Sequence, residues 1–213
     1  MKKSILTLAV VILSAVAFGN TNNFKKLMKQ NLETVRAYEE STNYVALGDE
    51  FADIAKDNTK RFEPLYYSAY CYIISSWQIN DMAERTKILD KAKVLIDKAN
   101  QLTPDNDELL VLEAFYFQAM IMVNPQKYGQ PYSLKAGELL AKAQKLNSNN
   151  PRAEFLLAQS TYYTPSQYGG GKEKALPLFE RSAVLFKNQK TGNYLLPIWG
   201  EETNTQMVSE CRK

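Results

Sequence analysis

The chain has 213 residues, 45% of them hydrophobic and 23% charged, with 26 Lys and Arg against 23 Asp and Glu and no histidine. Without histidine there is no imidazole general base, no histidine-containing catalytic triad and no histidine-ligated zinc site. The two cysteines, Cys71 and Cys211, lie too far apart in sequence for a Cys-x-x-Cys metal or redox motif.

Residues 1–19 read as a secretory signal peptide. Met1-Lys2-Lys3 is a short basic start, Ile5 to Phe18 is apolar, and Ala15-Val16-Ala17 or Ala17-Phe18-Gly19 supplies the small residues a signal peptidase requires. The apolar run is shorter than the roughly 20 residues of a membrane anchor. No cysteine stands near the cleavage site to carry a lipid, and nothing later in the sequence is long and apolar enough to span a bilayer. The mature chain is therefore expected in the periplasm or secreted, with no transmembrane segment. Removing the signal leaves 24 basic residues against 23 acidic, a net charge of +1. The lysines are interleaved with Glu and Asp, so no nucleic-acid or anionic-membrane partner is expected.

From residue 20 onward the pattern is helical, and residues 20–213 read as one all-α helical-repeat domain. Phe24, Leu27, Met28, Leu32 and Val35 recur at helical spacing, as do Ile88, Ala92, Leu95, Ile96, Ala99 and Leu102. Alternating runs bounded by turn residues are missing, which argues against sheet. Asp105-Asn106-Asp107 and Asn149-Asn150-Pro151 look like helix starts. The expected hairpins cover approximately 22–58, 62–103, 105–148 and 150–188, followed by a C-terminal cap over 195–211. In that cap, Trp199-Gly200-Glu201-Glu202 opens a helix on which Met207, Val208 and Cys211 share a face. Cys71 and Cys211 are expected to be free, unless the cap crosses back to the second hairpin.

The helices repeat. Ala92, Ile96, Ala99 and Pro104 are echoed by Ala136, Leu140, Ala143 and Ser148, then by Ala175, Phe179 and Ser182, while Ala69, Ala114 and Ala158 mark the helix before each set. Small residues at fixed positions let two helices approach closely, and a unit of this kind buries its apolar face only against its neighbours. Two connections are nearly alike: Pro125-Gln-Lys-Tyr128-Gly129 and Pro165-Ser-Gln-Tyr168-Gly169 each read as a turn, the first leading into a helix near Ser133. Tyr128 and Tyr168 then either pack back over their hairpin ends or stand together as rim contacts for a partner. Gly169-Gly170-Gly171-Lys172 is not a phosphate loop, because Ser166 and Glu173 stand where that motif needs Gly and Ser or Thr.

This spacing resembles the tetratricopeptide repeat (TPR), with Ala92 to Pro104 matching the second half of the repeat well and the other copies loosely. The copies are 44 to 45 residues apart, from Ala69 to Ala114 and Ala114 to Ala158, against about 34 in the family. The stretch from Tyr168 to Glu180 is similar to the turn between paired helices in secreted bacterial TPR-like proteins, including the helical ligand-binding subunit of some periplasmic solute transporters. The resemblance implies a right-handed superhelix of antiparallel hairpins, with the first helices lining its concave side.

On those first helices, Leu65, Ala69 and Tyr72, and then Leu110, Ala114 and Phe117, face the neighbouring helix. The adjacent stripe reads Tyr66, Tyr70 and Ile73, then Val111, Phe115 and Gln118, then Phe155, Gln159 and Tyr162. It is either core covered by a terminal segment or an aromatic groove for a peptide, a partner helix or an apolar small molecule. No residues are assigned to catalysis, to a metal or to a cofactor. The expected function is a non-enzymatic scaffold binding another periplasmic or envelope protein or peptide. The alternative is a periplasmic binding subunit holding a small apolar or amphipathic ligand.

Overall fold

The computed structural model describes residues 22–37, 39, 41–189 and 192–213, so the signal expected over residues 1–19 lies outside the described residues. These form nine α-helices, one short 3-10 turn and no strand. The chain is helical over 22–37 (α1). It continues through α2 (Tyr44–Asp57), α3 (Glu63–Ser76), α4 (Met82–Leu102), α5 (Asp107–Val123), α6 (Pro125–Leu146), α7 (Pro151–Tyr163), the turn Ser166–Tyr168, α8 (Lys172–Asn188) and α9 (Glu201–Cys211). No helix among the described residues is long and apolar enough to cross a membrane.

Short polar side chains start most of these helices by accepting a free backbone N–H of the first turn. Asn43, Asp81, Asn106, Asn124 and Asn150 all do so, and Pro125 and Pro151 open their helices where a missing N–H costs nothing. Helix α3 is buried from Pro64 through Ser76, on every side, because it packs against α2, α4 and α5. Helix α5 likewise packs against α3, α4, α6 and α7. Helices α4, α6 and α8 bury one stripe each and expose the rest to water.

Those stripes are the repeated small and large residues. Ala69, Ala114 and Ala158, with Ala92, Ile96 and Ala99, Ala136, Leu140 and Ala143, and Ala175, Phe179 and Ser182, are all buried. Ser182, where the pattern elsewhere has alanine, donates its hydroxyl to the Pro151 carbonyl at 2.9 Å, which satisfies a buried polar group. Helix α9 packs on α8, with the Asn204 amide donating to the Phe179 carbonyl at 3.0 Å. Cys71 and Cys211 are buried and unpaired.

The two connections that look alike in sequence differ in structure. Pro125 to Gly129 is not a turn: α6 begins at Pro125 and runs unbroken past Gly129 and Pro131, joined to α5 by Asn124 alone. Asn124 caps the helix, and Tyr128 stacks on Tyr132 one turn on, with ring centroids 4.8 Å apart, so the segment gains more as helix than as loop. Pro165 to Gly169 is a turn as expected. Gly170 there has no room for a side chain, since a Cβ would lie 2.1 Å from the Thr164 carbonyl oxygen.

Among the described residues two charged side chains are almost completely buried, Arg152 and Glu154. Arg152, at 0% exposure, grips Glu108 with Nε at 2.9 Å and Nη2 at 2.6 Å, joining α7 to α5, and its Nη1 donates to Gln189 at 3.2 Å. Asn150 adds donations to Asp107 at 2.8 Å and Glu108 at 2.9 Å. Replacing Arg152 with Ala would strand the Glu108 carboxylate. The expected cost is about 3–5 kcal/mol of folding stability, read from the midpoint of urea denaturation followed by circular dichroism.

Candidate functional site: an aromatic slot beneath a C-terminal strap

Between α8 and α9, residues 192–200 form a strap without regular secondary structure. Arg36 of α1 donates to the Tyr194 carbonyl at 3.2 Å, and the Tyr67 hydroxyl lies 3.1 and 2.9 Å from the carbonyls of Leu195 and Leu196. The strap presents Trp199 to α3 and α5. Its indole lies nearly parallel to Phe115, 5.1 Å away and inclined by 15°, and to Tyr70, 5.4 Å away and inclined by 24°. The indole N–H donates to the Tyr66 hydroxyl at 2.8 Å, and the Arg152 guanidinium sits 5.9 Å from the ring. Trp199 is therefore only 7% exposed. Gly200 follows it at φ +102, pressed against Phe186 and Phe155, a conformation and a clearance that suit glycine.

Beside Trp199 is a cavity of about 140 Å³. Helix α1 contributes Val35 and Arg36, α3 contributes Tyr70 and Ile74 with Trp77 just beyond its end, α5 contributes Phe115, and α7 contributes Phe155 and Gln159. Ile198 to Thr203 close the remaining side. Trp77 meets Phe115 edge to face at 5.1 Å and is 44% exposed. The charged lining residues are Arg36, Glu201 and Glu202. Such a lining suits a flat apolar ligand with a polar edge: faces for stacking, and one guanidinium for a carboxylate.

Four stripe residues meet here: Tyr70, Phe115, Phe155 and Gln159 line the cavity. Tyr66, Ile73 and Val111 do not; they are buried. Gln118 is half-buried and donates to the Leu156 carbonyl at 3.0 Å and the Ser160 hydroxyl at 2.9 Å, tying α5 to α7. Tyr162 is half-buried, edge-on to Tyr163 and Phe179. The stripe is thus not an open trough for an extended peptide, because the strap covers it with Trp199. Of the rim residues, Tyr128 is half-buried on Tyr132 beneath Lys127, whereas Tyr168 is 76% exposed. Sequence reasoning missed Arg36, Ile74 and Trp77; it placed 195–211 in a C-terminal cap and kept cover by a terminal segment as one alternative, without naming Trp199 as a site residue. The signal available was that both of the chain's tryptophans lie outside the repeat pattern.

Burial, reinforced by the nearby Glu108 carboxylate, pushes the Tyr66 phenol well above its ordinary range, and burial does the same to Tyr67. Both stay protonated at neutral pH and act as hydrogen-bonding groups, not as phenolates.

No family model and no curated protein matches the chain. Among solved structures it is similar to the HusA haemophore from Porphyromonas gingivalis, at 33% sequence identity and a TM-score of 0.79, over 89% of this chain and 92% of the haemophore.

Tyr66→Phe should leave the Trp199 N–H without its buried acceptor. The expected loss is about 1–3 kcal/mol, measured by urea denaturation, with a red shift in tryptophan emission as the indole gains water.

Proposed function

We propose that this chain, which belongs to the family of the HusA haemophore, is a non-enzymatic carrier that binds haem-class tetrapyrroles in the cavity beside Trp199. The observation that carries the reading is a slot walled by Tyr70, Phe115 and Trp77 in which a flat aromatic ring, the Trp199 indole, already lies stacked, on a chain akin to a haemophore. The macrocycle would be held through its flat face. No histidine exists in the sequence, and neither cysteine nor methionine is among the lining residues, so the ring and not an imidazole–iron bond supplies the affinity. Arg36 would pair with a peripheral carboxylate of the ligand. The carrier would act in the periplasm or secreted, after removal of residues 1–19.

Within the same reading the helices pair as hairpins over approximately 22–58, 62–103, 105–148 and 150–188, capped by 195–211, and stack as a right-handed TPR-like superhelix. In support, α3 touches α5, α5 touches α7, and all three line the cavity, while the repeated small residues are buried. A protein or peptide partner at the rim is a second reading, favoured by the exposed rings of Tyr168 and Tyr163, five positions apart in the chain.

Haemin and metal-free protoporphyrin titrated into the mature chain should each quench tryptophan fluorescence saturably at one equivalent, since both tryptophans face the cavity. Phe115→Leu, which keeps apolar volume but loses stacking, should weaken both by up to about tenfold. Absence of a saturable change with either compound would sink the assignment. Arg36→Gln should weaken protoporphyrin but not its dimethyl ester. Equal losses with the two would remove Arg36 from ligand recognition.

A further inference from the structure

Small-molecule sites typically enclose about 300–1,000 Å³, and the cavity here offers about 140 Å³. A tetrapyrrole cannot enter it with every wall in place. One wall is itself a flat aromatic plate, set into a slot. The Trp199 indole lies stacked on Tyr70 and Phe115 with its N–H on the Tyr66 hydroxyl, the same combination of ring faces and an edge hydrogen bond that a planar heteroaromatic ligand would use.

We propose that Trp199 is a displaceable plug: its indole occupies the place the ligand takes, and binding lifts the strap 192–200 out of the slot. This rests on the tetrapyrrole reading above and specifies how that site is controlled. The strap is built to yield. Within it only two backbone N–H groups are bonded, Leu196 to the Asn193 carbonyl and Leu195 to the Asn193 side chain, and it is held from outside by Arg36 and Tyr67 on three carbonyls and by Tyr66 on the indole. Glycines flank it: Gly192 has open space around it, and Gly200 carries the positive φ where the strap enters α9. Helix α9 keeps its own hold on α8 through Asn204, so the strap can lift while the cap stays docked. The vacated slot leaves the ligand the faces of Tyr70 and Phe115. A ligand that must displace a resident group binds with an apparent affinity reduced by the fraction of open molecules.

The test uses metal-free protoporphyrin with the wild-type chain, Trp199→Ala and Tyr66→Phe, the last loosening the indole without removing it. Affinity and association rate are measured by absorbance, and backbone hydrogen exchange over 192–199 is followed with and without the porphyrin. The expected result is binding about tenfold tighter and faster in both variants, with strap amides exchanging faster in the bound wild type. Should Trp199→Ala lose its helical circular dichroism, Tyr66→Phe and the exchange data decide the matter. Wild-type binding with equal or weaker binding by the folded variants, or with a strap that becomes more protected, overturns the plug and leaves the tetrapyrrole reading standing. No binding by any of the three overturns that reading, and the plug with it.

Discussion

The buried guanidinium of Arg152 constrains more of this molecule than any other single group. A charge at zero exposure must be met on all sides or it unfolds the region around it. Glu108 meets it from α5, Gln189 meets it from the end of α8, and the rings of Phe186 and Trp199 stand near it. The pair therefore sets the spacing of α5 and α7, the direction in which the chain leaves α8, and the floor on which the strap rests. Tyr66 and Tyr67, which hold the strap, lie within the electrostatic reach of the same pair. Helix spacing and site geometry thus have a common origin.

Helix content and the close-packed stripes were legible in the sequence because both follow from short-range rules. Asn150 followed by Pro151 is a strong helix start, and Ala92, Ala136 and Ala175 recur at positions with no exposure, where a small side chain fits. The segments Pro125-Gln-Lys-Tyr-Gly129 and Pro165-Ser-Gln-Tyr-Gly169 show where such rules stop. Pro125 and Pro165 are equally good at ending or starting a helix, and the outcome turned on Asn124 as a cap and on Tyr132, one turn beyond Tyr128, as a stacking partner. Neither is visible in the five residues that look alike.

The site was half legible. Tyr70, Phe115, Phe155 and Gln159 could be placed on one face from helical periodicity alone, and they do line the cavity. Whether that face was open could not be read, because the answer lies with Trp199, more than eighty residues from Phe115 and outside any repeating pattern. A terminal segment folding back is a tertiary choice, driven by the apolar surface it removes from water, and it leaves no periodic trace. The absence of histidine, which at first only excludes chemistry, ends by describing the cavity: its lining offers ring faces, a guanidinium, carboxylates and hydroxyls.

The walls of that cavity come from Val35 at one end of the sequence to Thr203 near the other. No shorter stretch of the chain contains the site, and no early stage of synthesis can assemble it. Contacts of such long separation are made late and at the greatest entropic cost of closure. The pocket is complete only when the chain from Val35 to Thr203 has been made and folded. A growing chain that has not yet reached Trp199 has no closed slot, however many of its helices have already formed.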